Sequence, residues 1–194
     1  MNKAVFLDRD GVINPLVYNL DTSEYESPHY IEDFSVFTHV LKSFKMLREN
    51  GFKIIVVSNQ PSYAKGKTSL ENIKAIEKLL YDFSEENGSL IDEFYYCYHH
   101  PDGIIPEYSG ACGCRKPGTL FLEDSIEKFN LTAEKCWFVG DRDTDIVCGK
   151  SMGMRTIQIR NKHSLKYAGK ETPDEYAGDL YEATLLIVED GKKT

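Results

Sequence analysis

No apolar run in the 194-residue sequence approaches the length of a membrane span, which takes about 20 consecutive apolar residues. Residues 1–10 lack the order of a secretory leader, so the chain is expected to be cytosolic with no membrane partner. Positive charge is scarce too: 23 Lys and Arg stand against 31 Asp and Glu, a formal net charge of −8. Nucleic-acid binding is driven by cations that neutralise phosphates, so no nucleic acid is expected as a partner. Internal repeats and low-complexity segments are absent, which leaves no basis for a repeat architecture. Five cysteines in a cytosolic chain do not make a disulfide framework. What remains is an ordinary globular composition, with 41% hydrophobic residues, and a length suited to a single domain over residues 1–194. A monomer is the expectation for a domain of this size.

Short apolar runs alternate with amphipathic stretches, the pattern of βα units on a parallel sheet. Lys3–Leu7 reads as a first strand and "FKIIVVS" (Phe52–Ser58) as a strand buried on both faces. "IDEFYYC", "KCWFVG" and "MRTIQI" supply three more. Helices are expected with Val40, Phe44 and Leu47 on one face, ending at Gly51, and with Leu70, Ile73, Ile76, Leu80 and Phe83 as a stripe behind a Ser69 cap. Three further helices are placed at Leu120–Phe129, Thr144–Met152 and Leu180–Glu189. The fold class is therefore α/β: a Rossmann-like open, mainly parallel sheet with helices on both faces. Residues 15–35, carrying Tyr18, Tyr25 and Tyr30, and residues 98–118 read as long irregular connections. Connections of that length inside a compact domain are usually functional or disordered.

Ligands of open parallel sheets bind beyond the carboxyl ends of the strands, and the residues placed there are polar. The first strand runs into "DRDG" (Asp8 to Gly11), the second into "SNQ" (Ser58, Asn59, Gln60), and a later one into "GDRDTD" (Gly140 to Asp145). "CRKPG", with Arg115 and Lys116, precedes the third helix. Two carboxylates one residue apart repel, so a positive group is expected between them. Each polar residue alone reads as a solvated loop position; the set suits phosphoryl transfer. Mg²⁺ takes oxygen ligands, few of them protein carboxylates, and leaves room for a phosphate. Asp8, Asp141 and the Asp10 backbone carbonyl are the candidate Mg²⁺ ligands, with Asp145 behind them. Asp8 can attack phosphorus, and Asp10 can protonate the leaving alcohol and then activate water. Ser58, Asn59 and Lys116 are expected to hold the transferring oxygens, and Gly11 to let backbone N–H groups approach them.

These four motifs, in this order, resemble those of the haloacid dehalogenase (HAD) superfamily of phosphatases. The resemblance spans Asp8 to Asp145 and implies that Asp8 is the nucleophile and Asp10 the general acid/base. It matches Ser58 and Lys116 to the phosphate-binding residues and Asp141 to the metal ligand.

A second cluster lies between the motifs. Cys97 and His99 precede Cys112 and Cys114, and together they offer the Cys₃His donor set of structural zinc. A redox dithiol at Cys112 and Cys114, or unrelated buried thiols, are the rival readings. His100 adjoins His99 and could compete with it; the spacing favours His99. A closed zinc site would shape the loop that ends at Arg115 and Lys116. Cys136 and Cys148, in apolar surroundings, read as small buried hydrophobes. This cluster, with "NQPSYAKGK" after the second strand, is similar to the capless D-glycero-D-manno-heptose 1,7-bisphosphate 7-phosphatases and the related histidinol-phosphate phosphatases. That resemblance implies a small-molecule sugar bisphosphate as substrate, Arg115 as a substrate contact, and a product used for activated heptose in surface-glycan synthesis. Residues 15–35 depart from it, being longer and richer in Tyr. Histidinol phosphate is the alternative substrate. A catalytically silent binding module would be expected to lack Asp8, Asp10, Lys116 or Asp141, and all four are present.

Overall fold

The computed structural model describes residues 2–167 and 169–192. Strand β1 (Lys3–Leu7) lies at the centre of a six-stranded sheet. Its neighbours are β4 (Phe52–Asn59) and β6 (Trp137–Gly140), both parallel to it. Outside these lie β5 (Glu93–Cys97) on one flank, and β7 (Arg155–Ile159) then β8 (Glu175–Ala177) on the other. The order β5-β4-β1-β6-β7-β8 means that the chain grows outward from β1, then returns to its other side. The reversal falls between β1 and β6, and a ligand crevice opens at such a point.

Alternation along β1 sorts the core into two layers. Val5 and Leu7 face α1 (Val40–Glu49), α2 (Leu70–Glu86) and α5 (Leu180–Asp190), packing with Phe44, Leu47, Leu80 and Ile187. Ala4 and Phe6 face α3 (Leu120–Phe129) and α4 (Asp143–Ser151), packing with Leu122, Phe138 and Cys148. A strand covered on both faces has no polar side to show, which is why "AVFL" is unbroken. The Ser69 hydroxyl accepts from the Asn72 N–H and caps α2. Gly51 takes a left-handed φ of 77° after α1, a turn that favours glycine. Cys136 and Cys148 are buried within the second layer. Among the described residues no helix is long and apolar enough to cross a membrane.

Three expectations are corrected. The third strand begins at Glu93 rather than Ile91, because the Asp92 side chain caps the neighbouring strand through the Ile54 N–H. The sheet has a sixth strand, β8, that the apolar pattern did not mark. Residues 15–35 are not wholly irregular: β2 (Val17–Asn19) and β3 (Glu24–Glu26) form an antiparallel hairpin, with Tyr18 paired to Tyr25 and their rings edge-on at 5.3 Å.

Phe44 is fully buried in the first layer, whereas Leu20 at the hairpin turn is 84% exposed. Phe44→Ala should lower unfolding stability by about 3–5 kcal/mol. Leu20→Ala should change it by less than about 0.5 kcal/mol. Urea titration measures both; similar losses would contradict the described core.

Candidate active site

The carboxyl ends of β1 and β6 deliver Asp8 and Asp141 side by side, and the first turn of α4 brings Asp145. One carboxylate oxygen from each lies within 4.8 Å of the others, all three being buried. The Asp8 Oδ1 accepts from the Ser58 hydroxyl at 2.9 Å and from the Arg9 N–H at 2.7 Å. Lys116 Nζ lies 3.0 Å from the same oxygen and 2.7 Å from Asp145 Oδ1, and donates to the Val57 carbonyl at 2.7 Å. Burial alone would depress the Lys116 pKa, but Asp145 and Asp8 outweigh it and hold the ammonium above its ordinary value. The Asp145 Oδ2 also accepts from the Arg142 N–H, closing the start of α4.

Asp141 differs from its neighbours. Among the described residues neither of its buried carboxylate oxygens has a hydrogen-bond partner, and the nearest cation, Arg142 Nε, stands 3.8 Å from Oδ1. Burial, then repulsion from Asp8 and Asp145, pushes its carboxyl up from 3.8 to about 8. An orphaned carboxylate between two others is the donor set that a hard divalent cation takes. The residues fit such an ion.

The Asp10 carboxylate points elsewhere. It accepts from Arg9 Nη2 at 3.0 Å, Asn14 Nδ2 at 2.9 Å and Gln60 Nε2 at 2.6 Å. Burial would raise the Asp10 pKa, but the Arg9 charge and these hydrogen bonds hold it below the usual value. The positive group beside this second carboxylate is thus the intervening residue itself. Arg9, a completely buried guanidinium, was not singled out from the sequence, because a charge flanked by two charges reads as surface. Gln60, equally buried, was passed over as the end of "SNQ".

Gly11 and Asn59 are tied into the site by bonds of their own. The Gly11 N–H donates to the Asn14 carbonyl at 2.8 Å within the loop. Glycine is required there because φ is 85° and a Cβ would run into the Asp141 carboxylate. Asn59 engages both ends of its amide on the Lys116 backbone, accepting from its N–H at 3.0 Å and donating to its carbonyl at 3.2 Å. It holds the lysine through these two bonds, and its second amide N–H stays unspent where Asn59 lines the cleft.

Above these residues lies a cleft of about 530 Å³, with Asp8, Asp10 and Lys116 among the residues lining it. The hairpin crosses one side of it. Glu26 accepts from Lys67 at 2.6 Å on one wall, Glu24 pairs with Lys166 at 2.8 Å on the other, and Tyr25 stacks on His163. Tyr25 lines the cleft; Tyr18 packs on Tyr25, and Tyr30 is 52% exposed. Arg115 lines the cleft and donates to the His99 carbonyl at 3.2 Å.

Cys97, His99, Cys112 and Cys114 converge, with one donor atom of each within 4.8 Å of the others. Sulfur–sulfur distances are 3.0, 3.4 and 3.6 Å, and His99 Nδ1 lies 3.6 and 3.8 Å from two of the sulfurs. Tetrahedral Zn²⁺ with bonds of about 2.3 Å to sulfur needs edges of roughly 3.8 Å, so small outward shifts would complete the cage. All five cysteines are free thiols. His100 stays outside the cluster; its Nδ1 accepts from the Asp102 N–H and it lines the cleft.

A HAD-hydrolase-like family model matches residues 113–183. The chain is 34% identical to D-glycero-alpha-D-manno-heptose-1,7-bisphosphate 7-phosphatase of Photorhabdus laumondii, over 83% of this chain and 84% of that one. It is 32% identical to D-glycero-D-manno-heptose-1,7-bisphosphate 7-phosphatase of Chlorobaculum tepidum, over 93% and 92%. It is 30% identical to the D-glycero-beta-D-manno-heptose enzyme of Haemophilus ducreyi, over 89% and 91%. The fold is shared with the crystal structure of D,D-heptose 1,7-bisphosphate phosphatase from B. bronchiseptica, solved with magnesium and phosphate (TM-score 0.78, 19% identity, 98% and 99% covered).

Because the Asp141 carboxyl titrates above its unfolded value, metal-free folded protein binds a proton that the unfolded chain has released between pH 3.8 and about 8. Stability should therefore fall as pH rises through that window. The fall should be shallower in Asp141→Asn, and Mg²⁺ should raise the wild-type Tm at the upper end more than the variant's. Thermal unfolding with and without Mg²⁺ checks this; equal slopes and equal metal shifts would contradict it. Cys112→Ser should lose zinc measured by elemental analysis and loosen residues 98–116 in hydrogen exchange. Absence of zinc from wild-type protein purified without chelator would overturn the zinc reading.

Proposed function

The chain belongs to the heptose 1,7-bisphosphate 7-phosphatase family of HAD-type phosphatases, and on that footing we propose that it removes the 7-phosphate of D-glycero-D-manno-heptose 1,7-bisphosphate. The observation that carries the chemistry is the setting of Asp8. A hydroxyl, a backbone N–H and a buried ammonium aim its carboxylate, and an orphaned Asp141 stands beside it. Asp8, Asp141 and the Asp10 carbonyl would hold Mg²⁺, which when bound neutralises charge on the phosphoryl oxygens. Asp10, ionised beside Arg9 in the free site, takes up a proton as the phosphate monoanion binds. An Asp8 oxygen then attacks phosphorus, the bond from phosphorus to O7 breaks, and Asp10 gives that proton to the departing alcohol. A water then attacks the phosphorus of the aspartyl-phosphate, passes a proton to Asp10, and leaves inorganic phosphate and free Asp8. Lys116 and Ser58 hold the transferring oxygens, and Asn59 fixes Lys116. Zn²⁺ on Cys97, His99, Cys112 and Cys114 would brace the loop carrying Arg115 and Lys116.

The charge of the rim supports a bisphosphate over the alternative, histidinol phosphate, whose far end carries an ammonium. Of the cleft's cations, Lys67 and Lys166 are paired with the hairpin carboxylates and Lys116 and Arg142 with the central aspartates, while Lys65 and Arg115 face the cleft with no carboxylate partner among the described residues. An anion at the far end of the substrate suits them. The reading extends to a place before nucleotide activation of heptose in surface-glycan synthesis.

Phosphate release with Mg²⁺ should be fastest from one anomer of heptose 1,7-bisphosphate in a panel with the other anomer, histidinol phosphate and fructose 1,6-bisphosphate. Asp8→Asn should fall to the blank while its circular dichroism stays unchanged. Preference for histidinol phosphate would replace the substrate, and turnover by Asp8→Asn would remove the covalent route.

A further inference from the structure

A directed chain of hydrogen bonds joins the two aspartates of the first loop through Gln60. The Ser58 hydroxyl donates to Asp8 Oδ1 at 2.9 Å, which leaves its oxygen free to accept, and Gln60 Nε2 donates to it at 3.0 Å. The same nitrogen donates to Asp10 Oδ2 at 2.6 Å, while Gln60 Oε1 accepts from Arg9 Nη2 at 2.9 Å. The orientation of the amide is not arbitrary. Reversing it would set its oxygen against a carboxylate and its nitrogen against a guanidinium, two repulsive contacts for two attractive ones. The Gln60 N–H donates to the Cys97 carbonyl at 2.7 Å, so its backbone is fixed to the end of β5 and to the thiol cluster. Gln60 is 1% exposed and does not line the cleft; it reaches the lining residues Asp10 directly and Asp8 through Ser58.

From this we infer that Gln60 is a positioning residue, which sets where the Asp10 carboxyl stands relative to Asp8 and so to the leaving oxygen. Ser58 and Asn14 each touch one of the two aspartates, and Gln60 is coupled to both. Proton transfer to an alkoxide demands placement of the acid within hydrogen-bond reach, and a displacement of about 1 Å can cost on the order of 100-fold in rate. Expulsion of p-nitrophenolate needs no such proton, because that anion is already a stable leaving group. Loss of Gln60 should therefore act on one leaving group and spare the other. The inference rests on the acid/base role proposed for Asp10 but not on the sugar.

The test is single-turnover kinetics with enzyme in excess, comparing p-nitrophenyl phosphate with whichever alkyl phosphate the wild type turns over fastest. In Gln60→Met, release of the alkyl alcohol should slow by roughly 100-fold, while release of p-nitrophenolate changes by less than about threefold. If Gln60→Met fails to fold, Gln60→Leu, likewise neutral and lacking the donor, carries the same comparison. Equal loss on both leaving groups would make Gln60 a merely structural residue and overturn the inference. So would no loss on either. A wild type silent toward heptose bisphosphate yet active on another alkyl phosphate would sink the substrate reading and leave this comparison intact.

Discussion

The site depends on how its buried charge is balanced. Asp8, Asp10, Asp141 and Asp145 are buried together with two buried cations, Arg9 and Lys116. Four negative charges against two positive leave a deficit of two. A buried carboxylate without compensation gives up its charge instead, which is what Asp141 does at its raised pKa. The two cations divide the carboxylates unequally: Arg9 engages Asp10, and Lys116 spans Asp8 and Asp145. Asp141 is left over, and a divalent ion is the smallest addition that settles the account.

That division also separates two kinds of work within three residues. Asp8 stays at the sheet edge among the Ser58 hydroxyl, the Arg9 N–H and Lys116, while Asp10 is drawn toward the Arg9 side chain and Gln60. Neighbouring carboxylates acquire different chemistry when their environments differ, since proximity alone would push them toward sharing one proton. Here the difference comes from the residue between them, whose side chain turns inward at the end of a strand buried on both faces.

Much of this was legible from the residues. The strands that carry the motifs are long apolar runs, and parallel strands buried on both faces give that signal strongly. Asp8, Ser58 and Asp141 could be placed at one edge because each ends or follows such a run, and Lys116 because its motif precedes the third helix. Three-residue strands offer too few positions for an alternation to register, so β8 and the β2–β3 hairpin were not visible. Arg9 and Gln60 escaped for another reason. A buried polar side chain is justified by partners distant in sequence, and Arg9 and Gln60 lie 51 residues apart. Asn59 and Gly11 sat where expected, but which group each hydrogen bond reached depended on packing that no local pattern encodes.

The sheet order bears on how the chain comes off the ribosome. β1 finds β4 once residues 52–59 exist, yet its other edge is completed only by residues 137–140. At about 5–20 residues per second, roughly 80 further residues take several seconds to emerge. During that interval the strand that leads into Asp8 presents an unpaired and largely apolar edge, the kind that templates mispairing between chains. The element most central to the finished enzyme is therefore the one a nascent chain must shelter longest, and chaperone demand should concentrate on it.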